Sequence, residues 1–385
     1  MSVNREPGAV AGYEQARSAD EGGRAVRPRT TSLAVRIALI AGSVIFSLVV
    51  LELGLRLLRS GPEGLIHWPN LANSRLSIGE DSTGLCAYTY DATLGWVLPT
   101  TCHTPRYSVD DNGFRRTPTA GPLAEPSILA TGASFTLGEE VADDESWPAY
   151  LQNATGRKVT NAGVSGYSLD QTVLRTEKLA PLVKPLFILL AFTPGDIRRS
   201  EVSMAWSREK PYFAVVDDKL ELRNVPVPAQ ANARVAPPLA ARLFGRFALA
   251  DEIVQRLGIQ RGWYFDEVQA VPPGTGQKIA CLLMPRLAKL GVPVVVVAQY
   301  GRSHWAQGAE HEATNVHAMR KVLGCAVDAG LIAVDLADPL KSLVEKSGVD
   351  GLYHADHHSA EGNRVVAGLI ERELASRKLL PKTDR

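Results

Sequence analysis

The chain lacks an excess of charge of either sign. Its 42 Lys and Arg residues face 41 Asp and Glu, which leaves a formal net charge of +1 over 385 residues. That balance provides no basic footprint for a polyanion, so nucleic acid is not an expected partner. Metal-ligand patterns are lacking too. There are four cysteines, and neither a Cys-x-x-Cys pair nor a His-rich spacing points to a metal site. No cofactor is expected. Gly163-Val164-Ser165-Gly166 has neither the Gly-x-Gly-x-x-Gly spacing of a dinucleotide fold nor the lysine of a phosphate loop, which weakens any nucleotide-binding reading. No internal repeat is visible, so the length does not come from a solenoid.

What is present begins with one long apolar run. Residues 1–30 are rich in Gly, Ala, Glu, Asp and Arg and carry no aliphatic periodicity, so they read as a disordered arm. The apolar run follows from Leu33 to Leu58. Its uncharged core, Ile37 to Leu51, is 15 residues long, short of the roughly 20 that span a bilayer. Arg36 can snorkel to the headgroups and lengthen the effective span. A cleaved signal peptide is the rival reading. The continuation Leu51-Glu52-Leu53-Gly54-Leu55-Arg56-Leu57-Leu58 stays helical and offers no small-x-small cleavage site, which favours an uncleaved transmembrane helix over 33–58. Arg17, Arg24, Arg27, Arg29 and Arg36 precede the core, and Arg56 and Arg59 follow it. The bias predicts a cytoplasmic N-terminus and an extracytoplasmic main domain, with the membrane as partner through this helix.

All four cysteines lie beyond that helix, on the oxidising side under this topology. Cys86 and Cys102 are close enough in sequence to close a small loop and are expected to pair within about 7 Å between Cα atoms. Cys281 and Cys325 read equally as a second pair or as two buried thiols.

Beyond residue 60, a loop-rich segment over 60–125 is expected to wrap a domain over 126–380. Candidate strands in that domain are Ile128–Thr131, Lys158–Asn161, Leu186–Phe192, Val292–Gln299 and Leu331–Asp335. Amphipathic stretches separate them at Trp147–Ala154, Leu169–Leu179, Gln277–Leu290 and His311–Ala329, and a last helix runs roughly Gly362–Arg377. Strands apolar on both faces and separated by helices imply a parallel sheet covered on both sides. The rhythm breaks in an insertion at about 200–240. There Asp217-Asp218-Lys219 reads as the turn of a small hairpin, and Pro226, Pro228, Pro237 and Pro238 mark irregular chain.

Four segments carry residues suited to chemistry. In Ser127-Ile128-Leu129-Ala130-Thr131-Gly132-Ala133-Ser134 an apolar strand ends at a glycine, and a serine follows at the turn toward a helix. Strand Val159-Thr160-Asn161 runs into Ala162-Gly163-Val164-Ser165-Gly166. Strand Leu189-Leu190-Ala191-Phe192 runs into Thr193-Pro194-Gly195-Asp196. His354-Ala355-Asp356-His357-His358 precedes the last helix. In a parallel sheet all four can meet at the carboxyl rim, where open α/β sheets place their sites. A serine, backbone donors at glycine turns and a late histidine form a minimal set for acyl transfer. The plainer readings are Ser134 as a helix cap and His357 as a surface histidine. Asp143, Asp144 and Glu145 read as a solvated helix start, Trp147 as packing, and Gly163 as a turn requirement.

With Tyr90-Asp91-Ala92-Thr93-Leu94-Gly95-Trp96, Asn112-Gly113-Phe114-Arg115 and Glu145-Ser146-Trp147-Pro148 added, the chain over about 85–375 resembles a membrane-anchored SGNH (GDSL-type) hydrolase. The resemblance implies a flavodoxin-like three-layer α/β/α sandwich that hydrolyses or transfers acyl esters. It implies Ser134 as nucleophile and His357 as base. The backbone N–H groups of Ser134 and Gly166 would be oxyanion donors, and Gly195 stands at the third oxyanion position. Three positions depart from the family pattern. Ala133 stands where the first block has aspartate. Gly195 stands where an asparagine amide would donate. His354 stands where the aspartate that orients the histidine belongs, and Asp356 is the nearest acidic substitute.

Two functions follow from these readings. One is a serine esterase or acyltransferase acting on an acyl, by family analogy acetyl, ester of an extracytoplasmic carbohydrate or another small ester. The other is a catalytically impaired protein of the same fold, serving as a membrane-anchored carbohydrate-binding or assembly component.

Overall fold

The computed structural model describes residues 32–66, 86–206, 208–229, 239–257 and 267–380. The expected N-terminal arm, residues 67–85 of the wrapping segment and residues 230–238 of the insertion lie outside the described residues. Helix α1 runs Leu33–Ser60, 28 residues. Among the described residues it is the helix long and apolar enough to cross a membrane. Two compact units divide the chain at Leu55 and Arg56.

The larger unit is built on five parallel strands: β1 (Ala124–Thr131), β2 (Arg157–Asn161), β3 (Phe187–Phe192), β4 (Val294–Ala298) and β5 (Ile332–Asp335). Their order across the sheet is β5-β4-β3-β1-β2. Leu129 of β1 stands opposite Thr160 of β2 and Ile188 of β3, and Val297 of β4 stands opposite Val334 of β5. Every residue of β3 and β4 is buried, as the unbroken runs Phe-Ile-Leu-Leu-Ala-Phe and Val-Val-Val-Val-Ala require of strands covered on both faces.

The helices needed below are α2 (Ser134–Leu137), α3 (Trp147–Thr155), α4 (Leu169–Val183), α5 (Pro194–Arg199), α6 (Leu239–Phe244), α7 (Ala248–Arg256), α8 (Gly276–Ala288), α9 (Ala309–Asp328) and α10 (Ala360–Ser376). α3 packs on α10, while α8 packs on both α4 and α9, and these two sets form the outer layers. The fold is a flavodoxin-like three-layer α/β/α sandwich. Its strand order reverses between β1 and β3, and in open α/β sheets the carboxyl ends at such a switch point are where sites are placed.

The expected hairpin is present as Tyr212–Val216 paired with Lys219–Arg223. Two helices, α6 and α7, follow directly at the end of the insertion. Lys210, within the insertion, is fully buried and pairs with Asp170 of α4 at 3.1 Å. It also donates to the carbonyl of Val202 at 3.0 Å.

The wrapping segment forms a second small core. Leu94, Trp96, Leu98, Tyr107 and Val109 pack against Ala133, Leu137, Val164 and Tyr167, which belong to the turns after β1 and β2. Cys86 and Cys102 are bonded there, with Cα atoms 6.0 Å apart. Cys281 of α8 and Cys325 of α9 are bonded as well, at 5.2 Å, which resolves the reading left open for them.

One buried cation ties this segment to the rim. Arg115 is 2% exposed. Its backbone N–H donates to the carbonyl of Asn161 at 3.0 Å, which extends the edge of the sheet. Its guanidinium donates to the carbonyls of Leu137 at 2.5 Å, Gly138, and Val141 at 2.8 Å. Its Nε contacts Asp143 at 3.3 Å. Asp143 also accepts from the N–H of Ser108 at 3.0 Å, so it is an anchor of the wrapping segment rather than part of a solvated helix start. Arg115→Met should leave these carbonyls buried without a donor, at about 1–3 kcal/mol for each group that finds no water. Denaturant unfolding should record a loss of that size, and unchanged stability would contradict the role given to the guanidinium.

Candidate active site

The local sequence explains why Ser134 is presented. β1 ends at Thr131, and Gly132 makes the turn. A Cβ there would lie 2.1 Å from Thr136 Oγ1 and 2.8 Å from the carbonyl oxygen of Ala191, so only glycine lets the chain pass. α2 is a single turn. Its N-cap is Ala133, which has no capping side chain, so Ser134 is not a cap. Gly138 ends the turn with φ +78°, in the left-handed region that glycine enters without strain. The chain therefore doubles back at once, and Glu139 and Glu140 return beside the serine.

His357, 223 residues further along the chain, meets Ser134 with Nε2 2.7 Å from Oγ. The other ring nitrogen, Nδ1, is 3.0 Å from Glu140 Oε1. An ionised carboxylate can only accept, so Nδ1 carries the proton and donates to Glu140. Nε2 is then the free base that accepts from the Ser134 hydroxyl. The histidine and glutamate side chains are 17% and 18% exposed, so the array is shielded but reachable. The phenyl ring of Phe135 tilts against the imidazole with centroids 4.8 Å apart.

The carboxylate at Nδ1 is thus Glu140, and not Asp356 or His354, from which that contact was expected. Both of those side chains are exposed. The N–H of His354 donates to the carbonyl of His357 at 2.9 Å, which closes a tight turn. His354's carbonyl accepts from Arg302 at 3.2 Å. Asp356, adjacent to His357 in the chain, offers its carbonyl to the N–H of Arg302 at 3.4 Å, and its charge acts on the imidazole without reaching Nδ1. Sequence reasoning missed Glu140 altogether. The signal was the carboxylate pair directly after Gly138, six residues beyond the serine.

Electrostatics poise the pair. Burial works to lower the pKa of His357, but the Glu140 hydrogen bond and the charges of Glu139, Glu140 and Asp356 outweigh it. The net shift is upward from an ordinary histidine. For Glu140, burial works to raise the pKa. The His357 hydrogen bond and the charges of His357 and His354 overcome it, and the net shift is downward. Both directions describe a carboxylate that stays ionised and stabilises an imidazolium. Glu139 lies on the opposite side of the ring, with Oε2 4.0 Å from Nε2, and accepts a hydrogen bond from Ser165 Oγ. Through it the turn after β2 is tied to the turn after β1.

Gly166 follows Ser165 with φ +77°. Among the described residues, nothing accepts a hydrogen bond from the N–H of Ser134 or of Gly166. A side chain at position 166 would strike the Trp206 indole, 2.8 Å from Cδ1. The indole N–H of Trp96 donates to the carbonyl of Ser165 at 3.1 Å and steadies the same turn.

Gly195 sits in the first turn of α5. The place where a side chain would leave it is not empty, because Arg199 Nη1 lies 3.1 Å from that Cβ position. Arg199 is one helical turn further on, so it shares this face. It also donates to the carbonyl of Tyr167 through Nη2 at 3.1 Å and pairs with Asp196. Asp196 is committed to α5 itself and accepts from the N–H of Thr193 at 2.7 Å. No group of His, Cys, Asp and Glu able to hold a metal ion occurs among the described residues.

No protein-family model matches the chain, and no curated protein matches it. Solved structures do show likeness at low identity. An acetylxylan esterase from Geobacillus stearothermophilus, solved as a catalytic mutant, is 14% identical, with 66% of this chain and 95% of that one covered and a TM-score of 0.40. A lipase/acylhydrolase from Enterococcus faecalis is 16% identical, with 66% and 97% covered and a TM-score of 0.34. A putative lipolytic protein of the G-D-S-L family from Desulfitobacterium hafniense is 12% identical, with 64% and 99% covered and a TM-score of 0.34. The chain is similar to these lipolytic and esterase structures, while its fold rests on its own strand order and its site on the contacts of Ser134, His357 and Glu140.

Proposed function

We propose that the protein is a serine ester hydrolase or acyltransferase of the SGNH type. In this reading α1 anchors it in a membrane and the catalytic domain lies outside the cytoplasm. The observation that carries the reading is the continuous array Glu140–His357–Ser134 at the carboxyl rim of the sheet. Ser134 Oγ attacks the ester carbonyl as its proton passes to His357 Nε2. Glu140 holds the ring by Nδ1–H and stabilises the imidazolium. The N–H groups of Ser134 and Gly166 are the donors for the tetrahedral oxyanion. The carbon–oxygen bond to the leaving alcohol breaks, and that alcohol takes the proton from Nε2. Water or an acceptor hydroxyl then attacks the acyl-enzyme, gives its proton to Nε2 and frees Ser134.

The finer parts of the proposal are the compartment and the substrate. The arginines before the apolar core of α1 favour a cytoplasmic N-terminus, and two disulfides suit an oxidising compartment. An acetyl ester of a carbohydrate is the substrate class we favour. Glu139, which already accepts from Ser165 Oγ beside the site, is a carboxylate acceptor that suits the hydroxyls of a sugar. The non-catalytic alternative draws its support from the three departures at Ala133, Gly195 and His354; the contact of Glu140 with His357 Nδ1 speaks against the last of them, and Ala133 and Gly195 remain as departures.

Turnover of acetylated sugars and of a chromogenic acetate tests the proposal. Ser134→Ala should lose about 10⁶-fold in kcat, as removal of such a nucleophile does, with the melting temperature nearly unchanged. Glu140→Gln should lose about 10⁴-fold, whereas Asp356→Asn should keep its rate. Equal turnover by the alanine variant would leave the binding reading alone. The acid limb of the pH profile gives a second check. His357 must be neutral to take the proton, and its pKa is raised, so kcat/KM should fall as pH drops through that raised value. Removing the Glu140 charge lowers the pKa, so the limb in Glu140→Gln should move to lower pH. A limb that stays in place would detach Glu140 from the base.

A further inference from the structure

The insertion is followed by a helical hairpin, α6 and α7, whose amphipathicity is inverted. Its inward residues are mostly small: Ala241, Gly245 and Ala248 are buried, with Val254 and the paired Asp251. Most of its large apolar residues point out. Leu239 is 69% exposed, Leu243 59%, Phe244 51%, Phe247 44%, Ile253 49% and Leu257 65%. A helix of a water-soluble surface shows the reverse arrangement, and a patch of this extent marks an interaction surface. Arg242, Arg246 and Arg256 are exposed along the same hairpin.

The last turn of α1 indicates what covers this patch. The candidate membrane span ends at Arg59. Arg59 Nη1 pairs with Asp251 of α7 at 2.6 Å, and Nη2 pairs with Glu252. Arg56 Nη2 donates to the carbonyl of Arg246, between the two helices, at 3.1 Å. Leu58, 84% exposed, and Ile66, 79% exposed, flank the same point of the chain. The hairpin is therefore clamped to the residues where the apolar helix gives way to the globular unit.

We propose that α6 and α7 are a membrane-surface element, seated with Leu243, Phe244 and Phe247 among the acyl chains of a lipid bilayer and with Arg242 and Arg246 at its anionic headgroups. The proposal rests on the reading of α1 as a membrane anchor. Side chains of this kind, apolar on one face and cationic beside it, suit an interfacial helix. The element would fix the height of the globular unit above the lipid, which a single flexible tether does not.

The four cysteines are all engaged in disulfides, so one introduced cysteine can be labelled alone. Full-length Phe244→Cys and Phe247→Cys variants, nitroxide-labelled and reconstituted into vesicles of phosphatidylcholine and phosphatidylglycerol, report depth by their accessibility to oxygen and to a water-soluble nickel chelate. Leu182→Cys, at an exposed position of α4, is the aqueous control, and Val49→Cys reads the core of α1. The expected result is that oxygen prevails over nickel at 244 and 247, with the opposite order at 182. Nickel accessibility at 244 and 247 equal to that at 182 would overturn the proposal. So would spin–spin broadening at these positions that vanishes on dilution with unlabelled protein, because a second copy of the chain would then cover the face. If 49 reads as lipid while 244 and 247 read as water, the anchor stands and only the hairpin proposal fails. Aqueous values at 49 as well would remove both.

Discussion

The buried guanidinium of Arg115 is the constraint on which the site depends. A cation taken out of water must satisfy its donors or forfeit several kcal/mol. Here the donors are satisfied by the carbonyls of Leu137, Gly138 and Val141. Those carbonyls bracket Glu139 and Glu140. A loop of this length would otherwise be free to choose many conformations, and its carboxylates would drift into solvent. Asn161 completes the grip, because its side-chain amide donates to the carbonyl of Thr136 at 2.9 Å and its carbonyl accepts from the backbone of Arg115. The wrapping segment, the edge strand β2 and the turn after the nucleophile are in this way one hydrogen-bonded unit. Remote binding of this sort is how a catalytic geometry is held ready before substrate arrives.

Two glutamates in sequence do different work because they face different ring nitrogens. Glu140 touches Nδ1 and fixes the tautomer. Glu139 stands off Nε2 at 4.0 Å and is occupied by Ser165. A carboxylate near the serine opposes a developing oxyanion, so its engagement with Ser165 and its distance from the ring matter. Arg199 brings positive charge to the turn that ends β3, at the position where the family pattern has a neutral amide. The balance of charge around the rim therefore differs from the pattern that the sequence resemblance implies, although Ser134 and His357 meet as that resemblance expects.

The parts of the structure legible in the sequence were those fixed by local pattern. The unbroken apolar runs of β3 and β4 announce strands buried on both faces. Ser134, Gly166 and His357 stand at strand ends or before a helix, where topology brings them to one rim. The orienting acid was not legible, because its position depends on Gly138 reversing the chain and on Arg115 holding it, a contact between residues more than 20 positions apart. Spacing from the histidine pointed instead to His354 and Asp356, which the turn closed by the N–H of His354 leaves in solvent. Arg199 was hidden for a related reason. Only when α5 is known to be helical do positions 195 and 199 share a face. The hairpin of α6 and α7 escaped notice because its apolar periodicity points outward, and because prolines precede it.

The central claim is that Ser134 is a nucleophile activated by His357 and Glu140. The most direct measurement is peptide mapping by mass spectrometry after the full-length protein reacts with a fluorophosphonate. The account predicts one phosphonyl adduct, on the peptide that contains Ser134, formed far more slowly when His357 is replaced by alanine. An unmodified Ser134, or an adduct confined to another serine, would contradict it.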